Sequence, residues 1–483
     1  MSSVSTTDIG ATKFKWEGAA LGPTIGLISL AVFLWFLSPP GNLTLNAWHL
    51  FIIFIVTIIS LIIKPLPMGA MTLIAAVVCV LTQTLPLAQV LAGFSSSIVW
   101  LIVSAFLLAK GFIKTGLGSR IAYYFLIFFG KSTLGVSYAL IVTELFFAPA
   151  TPSNTARGAG IVLPIVKGLS VEYGSAPEKG TQRKIGSYLI KLLFQVNVIT
   201  SAMFVTATAG NPLIVTIVAG YGINLSWGTW ALACVVPGLV NLFLLPLFLY
   251  IVYPPELKQT PEAPAFAKRK LLELGPMKVT EVFMSIIFLA LLLLWVLGEQ
   301  IHVDATTSGL LGLCCLLITG VLNWSDITQE KDAWDTFIWM SVLILLSSKL
   351  AQLGVTGWFS AYVKDAVKGL SGFYVLIIIG LLYYYAHYFF ASMTAHISAM
   401  YATFYVVCIS SGAPLMVTAL LLGAASSLSA GLTHYGTGTA PAYFRADYLS
   451  LGAWWRVGFL VSVLNIVVWS VVGCLWWKLL CYW

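Results

Sequence analysis

The sequence predicts an all-α polytopic membrane protein built as an inverted repeat, and three observations carry that prediction. The first is composition: of 483 residues, 59% are hydrophobic and 9% charged, where soluble domains average about 25% charged. The second is a series of apolar runs of spanning length, two of which are interrupted by polar residues at membrane depth. The third is an order of elements that recurs at an offset near 230–240 residues. The formal net charge of +8 does not signal nucleic-acid binding, because Lys and Arg gather in the loops of one side. The seven cysteines lie in or beside apolar runs without metal or disulfide spacing. They read as small packing residues, and neither a metal nor a cofactor is expected.

Residues 1–19 are polar and lack a charged-then-apolar signal pattern, so they read as a retained cytoplasmic tail. Spans follow at about 20–38, 47–63, 68–90 and 97–112. The first ends at Ser38-Pro39-Pro40-Gly41-Asn42 and the second at Lys64-Pro65. Residues 121–129, IAYYFLIFF, read as a helix lying at the interface. The apolar arms 134–147 and 159–170 are each shorter than the ~20 residues a crossing needs. Between them lie two prolines, hydroxyl residues, an Asn and an Arg. Polar, irregular backbone at membrane depth is tolerated only inside protein or against a wet cavity, so 134–170 is expected to be a re-entrant hairpin.

A span over about 186–221 is broken at Ala209-Gly210-Asn211-Pro212, and another covers 227–252. The Pro- and charge-rich segment 253–279 reads as a cytoplasmic hinge between halves. The expected organisation is a first span (20–46), repeat 1 (47–252), this linker, and repeat 2 (280–483). Repeat 2 holds spans at about 280–297, 305–322 and 335–353, then a second interfacial helix (356–369). A second hairpin follows at 372–412, a span broken within 415–448, and a last span at about 452–477.

Loop charge orients this map. With the N-terminus in the cytoplasm and each hairpin returning to its own side, the cytoplasmic loops hold Lys64, Lys110, Lys114, Arg120, Lys131, Lys179, Arg183, Lys184, Lys258, Lys268, Arg269, Lys270, Arg445 and Arg456. The outer loops near 39–46, 84–96, 222–226 and 298–304 hold no Lys or Arg. A full crossing at 148–164 would destroy this asymmetry. About eleven crossings then place the C-terminus outside, in a plasma membrane of bacterial type.

Residues 98–125 match 336–363 as a span, a Gly and an amphipathic piece. The tip Ser153-Asn154-Thr155-Ala156-Arg157 matches Ser392-Met393-Thr394-Ala395-His396, and the break at 206–212 matches that at 435–441. By the crossing count the two copies enter from opposite sides. Inverted repeats with interrupted helices in corresponding places mark a secondary transporter with its site at the repeat interface.

At each tip, hydroxyl groups and N–H groups near helix starts converge, which suits a carboxylate. Ser153, Asn154 and Thr155, facing Ser392, Met393 and Thr394, are expected to hold the two ends of a short dicarboxylate. Gly210 and Asn211 of the first break and Thr437, Thr439 and Pro441 of the second complete the site. The plainer alternative is that the hydroxyls bond back to their own helix backbone. Arg157 and His396 occupy the same place in the two repeats. A charge at membrane depth is functional by default, so both are expected to offer positive charge to a dianion, His396 only when protonated. Glu144 reads either as the counter-charge of Arg157 or as a proton carrier. Lys349, deep in its span, is a weaker candidate, and His387 and His434 read as structural or gating. Isolated tips rather than a continuous polar stripe argue against a channel. The lack of a nucleophile–base pair or of HExxH spacing argues against an intramembrane hydrolase, so no enzyme is expected.

TPSNTARGAGIVLPI (151–165), FASMTAHISAM (390–400) and the paired breaks resemble the divalent anion–sodium symporter (DASS) superfamily over nearly the whole chain. The nearest likeness is to its exchanger branch: bacterial citrate–succinate and tartrate–succinate antiporters and plastid 2-oxoglutarate–malate translocators. The resemblance implies a homodimer of eleven-span subunits, each with a scaffold domain and a transport domain that moves as an elevator. Sodium-coupled members carry Ser-Asn-Thr at both tips and bind sodium there and at the breaks. This chain has Met393 where the second Asn would stand, and a thioether is a poor ligand for a hard cation. The resulting expectation is a sodium-independent antiporter of dicarboxylates such as 2-oxoglutarate, malate, succinate and fumarate. Its partners would be these anions and the lipid bilayer, with no nucleic acid. Sodium-coupled di- or tricarboxylate symport and citrate–succinate exchange are the alternatives.

Overall fold

Nine helices among the described residues of the computed structural model are long and apolar enough to cross a membrane. The structure describes residues 18–366 and 369–483. The tail expected at 1–19 therefore lies almost wholly outside the described residues, and the second interfacial helix is described as Val355–Ala366. No strand occurs among these residues; Ser132 and Gln259 form a lone bridge. Three of the nine long helices, Thr133–Ala150, Gly372–Phe389 and Met393–Ser410, are hairpin arms.

Most expected spans appear within a few residues of their expected bounds, and the exceptions have local causes. The run expected over 68–90 ends at Leu81. Gln83 takes a left-handed conformation (φ 57°), and the chain restarts after Pro86 as the short helix Leu87–Ala92. Side-chain oxygens of Thr44, Ser132, Ser226 and Ser450 accept the N–H three residues on and so start four of the helices. Asp304 does the same for Ala305–Ile318, and the Thr307 hydroxyl together with the N–H groups of Thr306 and Thr307 holds its carboxyl below the usual range.

The linker differs from the loose hinge expected of it. Behind Pro264 it forms the helix Ala263–Leu274, where proline at the first turn is favourable. That helix packs along the interfacial helix Leu117–Phe129. Arg120 then fixes the linker's far end, donating to Glu281 at 2.7 and 3.2 Å and to the Gly275 carbonyl at 3.0 Å.

At the centre stands Gly186–Met203, every residue of which is buried. It stops at an irregular stretch and resumes as Asn211–Ala219. Its counterpart Leu415–Leu428 stops likewise and resumes as Ala440–Phe444. Pro212 and Pro441 sit in the first turn of the resumed segments, where a missing N–H removes no helix bond. The closing helices of the two halves, Trp227–Val252 and Leu451–Leu479, pack together. Asn241 Nδ2 donates to Asn465 Oδ1 at 2.9 Å, at an offset of 224 residues. The same offset superposes Ser226-Trp227-Gly228-Thr229-Trp230 on Ser450-Leu451-Gly452-Ala453-Trp454. Equivalent residues meet, as they must on an approximate two-fold axis relating the repeats.

Candidate functional site

The hairpins cross over: each tip meets the break of the other repeat. Asn154 Nδ2 donates to Thr437 Oγ1 at 2.8 Å, Thr155 Oγ1 lies 3.5 Å from Thr439 Oγ1, and Tyr443 donates to the Gly158 carbonyl at 3.1 Å. On the other side, the segment Asn211–Ala219 packs against Ile397–Tyr401. A Cβ on Gly210 would stand 2.6 Å from Ile397 Cδ1 and 3.9 Å from Thr394 Oγ1. No hydrogen bond joins tip to tip among the described residues; the break of one repeat lies against the tip of the other.

Local geometry is shared by the tips. Ser153 Oγ accepts the Ala156 N–H at 3.1 Å and Ser392 Oγ accepts the Ala395 N–H at 3.4 Å. Both second arms then pass through a π-helical turn, Ala156–Val162 and Ile397–Tyr401, a feature frequent at functional sites. Bonding back to the helix, the plainer alternative, is thus realised for the serines. It uses each oxygen as an acceptor and leaves the O–H to donate. Ser153, Thr155, Ser392 and Thr394 are partly exposed, whereas Asn154, Arg157, Met393, His396, Thr437 and Thr439 are buried.

Arg157 is not the free cation expected. Its side chain is 0% exposed and pairs with Glu144 at 2.7 Å. Its remaining N–H groups donate to the carbonyls of Thr151 (2.7 Å) and Ala207 (3.2 Å) and the hydroxyls of Thr200 (3.4 Å) and Ser201 (3.1 Å). These five bonds match the five donors of a guanidinium. Asn197 Nδ2 closes the network, donating to Glu144 at 2.6 Å and to the Asn154 carbonyl at 3.0 Å. Of the two readings left open for Glu144, the geometry is that of the counter-charge. Asn211 is also turned inward: both amide hydrogens donate, at 2.8 Å, to the Ser201 and Phe204 carbonyls freed where the helix stops.

His396 is 0% exposed and stacks on Tyr383 with ring centroids 4.3 Å apart. Its Nδ1 lies 3.1 Å from His387 Nδ1. His434 accepts from Trp455 Nε1 at 3.2 Å, outside the tip. Lys349 is corrected: it sits in the last turn of Lys331–Gln352 and bonds Gln352 near the surface. Pro441 remains half-buried in the resumed helix.

One residue was missed. Lys191 is 0% exposed in the central helix, and its Nζ has no hydrogen-bond partner. It lies 4.2 Å from the centroid of a Trp454 ring and 5.2 Å from that of Phe194. The signal was present as a lone cation in YLIKLLF (188–194).

Comparison with known proteins follows this geometry. A family model described as the sodium:sulfate symporter transmembrane region matches residues 21–483. The putative malate transporter YflS of Bacillus subtilis is 49% identical over 470 residues, covering 97% of this chain and 98% of the relative. Dicarboxylate transporter 1 of Spinacia oleracea chloroplasts is 46% identical over 474 residues, covering 97% and 83%. The inner membrane protein YbhI of Escherichia coli is 37% identical over 475 residues, covering 96% and 98%. Among solved structures, the Alcanivorax borkumensis YdaH transporter matches with a TM-score of 0.53 at 11% identity, over 81% of this chain and 87% of that one. That likeness is one of fold.

Proposed function

The chain belongs to the divalent anion–sodium symporter superfamily, whose sodium:sulfate symporter transmembrane region it matches over residues 21–483, and on that footing we propose that it is a sodium-independent dicarboxylate antiporter. The names of its relatives, a putative malate transporter and chloroplast dicarboxylate transporters, support malate and the dicarboxylate class, within which we place succinate, fumarate and 2-oxoglutarate as further substrates. One observation carries the reading. The partly exposed side chains of the tips, Ser153, Thr155, Ser392 and Thr394, are hydroxyls with O–H groups left to donate, and the second tip buries Met393 where a hard cation would need oxygen.

Carboxylates of a C4 or C5 dianion bind between the hydroxyls of the two tips, each backed by the opposite break through Thr437 and Thr439 or Gly210. The transport domain, made of hairpins and broken helices, then moves against the remaining spans as an elevator. The subunit crosses eleven times, with the N-terminus in the cytoplasm and the C-terminus outside, and works as a homodimer in a bacterial plasma membrane. It performs no catalysis.

Efflux of labelled malate from preloaded proteoliposomes at mildly acidic pH tests this. External dicarboxylate is expected to accelerate efflux at least tenfold, and exchanging sodium for choline is expected to change nothing. Stimulation by sodium, or fast net efflux without external dicarboxylate, overturns the reading in favour of symport.

A further inference from the structure

The first hairpin offers a dianion no free charge, because Arg157 and Glu144 neutralise one another at 2.7 Å. The second hairpin contains a different device. His387 Nε2 stands 2.8 Å from the Gly436 carbonyl, so it carries a hydrogen. His387 Nδ1 stands 3.1 Å from His396 Nδ1, a gap that holds one proton. At the far end, His396 Nε2 is buried with no hydrogen-bond partner. Two neutral imidazoles bring two protons, which fill the Gly436–His387 and His387–His396 gaps and leave His396 Nε2 bare. A third proton, placed on His396 Nε2, makes the pair a monocation. The Tyr383 ring, stacked 4.3 Å from His396, favours that cation through its face.

The second hairpin and its break carry no fixed charge of their own. Residues 372–439 contain no Asp, Glu, Lys or Arg. The hairpin's own titratable neighbours are Tyr383 and Tyr401. Of the elements packed on the second arm, Val355–Ala366 meets its far end, Ala402–Ser410, and carries Tyr362, Lys364 and Asp365, while Leu45–Ile63 brings only His49, which stacks on Trp35 at 3.7 Å. Leu415–Leu428 and Asn211–Ala219 bring none. In the second break, His434 and Tyr435 turn to Trp455 and the Tyr388 carbonyl.

We propose that the His387–His396 pair takes up one proton as a dicarboxylate binds, so that dianion and proton cross together in each direction. The proposal rests on the dicarboxylate reading above. An N–H bond forms at His396 Nε2, with the proton drawn from water on the side to which the site is open, and the same bond breaks when substrate leaves. Proton and dianion then strengthen each other's binding by the same factor. A protonated pair without its dianion carries net charge that is costly to move through the bilayer, so acid enforces exchange. An empty, unprotonated carrier lacks that charge, so net efflux relative to exchange rises with pH.

The test uses the purified full-length protein and L-malate. Malate is added in weak buffer with a pH-indicating dye, and binding is measured between pH 6 and 9. Roughly one proton taken up per malate is expected on the alkaline side of that range, with affinity there weakening about tenfold per pH unit. In proteoliposomes the ratio of net efflux to exchange is expected to climb over the same range. His387→Gln, which leaves His396 in place, is expected to abolish the proton signal and flatten the pH dependence. Malate binding without proton uptake and with pH-independent affinity overturns the proposal while leaving the antiporter reading standing. A folded protein that neither binds nor exchanges any dicarboxylate overturns both. The wild-type measurement decides the matter even where a histidine variant fails to fold.

Discussion

The two hairpins have one backbone plan and opposite chemistry. In the first, Glu144 stands thirteen residues before Arg157 and pairs with it. In the second, Tyr383 stands at the same spacing before His396 and stacks on it. Asn197 and Ser426 each lie 15 residues before the break prolines, Pro212 and Pro441. Asn197 braces Glu144 at 2.6 Å, and Ser426 bonds the Tyr383 hydroxyl at 2.7 Å. A three-cornered support behind the tip is therefore kept in both repeats. The first is locked by a salt bridge in which Arg157 uses all five of its donors, while Glu144 Oε2 and Asn197 Oδ1 keep no partner. The second is held by aromatic stacking and a histidine pair with one unfilled nitrogen. One tip is fixed in charge and shape, and the other can change its charge.

The sharpest way to break this comparison is to remove one partner from each support. Arg157→Met leaves Glu144 as a buried, unpaired carboxylate, which costs about 3–5 kcal/mol. Tyr383→Phe removes only the bond to Ser426, about 0.5–1.5 kcal/mol. Thermal unfolding of the purified protein should show a large loss for the first and a small one for the second. Adding Glu144→Gln to Arg157→Met should recover part of the loss. Equal losses in the two hairpins would mean that the first is not electrostatically locked.

What the sequence disclosed follows the same physics. Both tips and both breaks were legible because polar and Gly-Pro residues stand out against apolar arms, and the hairpin reading followed from loop charge. Crosswise docking was not legible, since Asn154 and Thr437 are 283 residues apart and only packing joins them. The pairing of Arg157 was half legible: Glu144 was seen, but not the hydroxyls of Thr200 and Ser201 and the carbonyls of Thr151 and Ala207 that complete its bonds. The closing helices went unmatched because the repeat was traced from interruptions, and Trp227–Val252 and Leu451–Leu479 are not interrupted by polar residues.

Crosswise docking can itself be tested at the glycines of the joint. A Cβ on Gly158 would lie 3.0 Å from both Asn197 Nδ2 and Thr439 Cγ2 and 3.2 Å from the Tyr443 hydroxyl oxygen. Overpacking of this kind costs roughly 1–3 kcal/mol. At Gly210 the close neighbour is the far end of Ile397, which can turn aside. Gly158→Ala should therefore depress malate exchange and stability more than Gly210→Ala, measured side by side in proteoliposomes and by thermal unfolding. The reverse order would place the tighter joint at the second tip.

Lys191 offers a smaller test. At the same spacing before the break, the second repeat has Leu420. Lys191→Leu makes the first broken helix resemble the second. It removes an unpartnered buried amine, a penalty of about 1–3 kcal/mol, and forfeits a cation–π contact with Trp454 of about 0.5–2 kcal/mol. The net expectation is a gain near 1 kcal/mol with exchange retained. Loss of exchange in a folded protein would instead give the first repeat a working charge that the second lacks.

The smallest effect is expected on the axis, where the repeats are alike. Asn241 Nδ2 reaches Asn465 Oδ1 at 2.9 Å, and Asn465 Nδ2 lies 3.5 Å from the Tyr384 hydroxyl. Hydrogen bonds between membrane helices average about 0.6 kcal/mol. Asn241→Leu and Asn465→Leu should each lower stability by about that amount, and the double variant should lose less than the sum, because the second change removes a group already left alone. A coupling near zero would mean that the bond seen here does not hold the closing helices together. A coupling of several kcal/mol would make the axis, rather than the Arg157 network, the main joint of the fold. The order of these effects, from the first hairpin down to the axis, separates a fold organised by its buried charges from one organised by its symmetry.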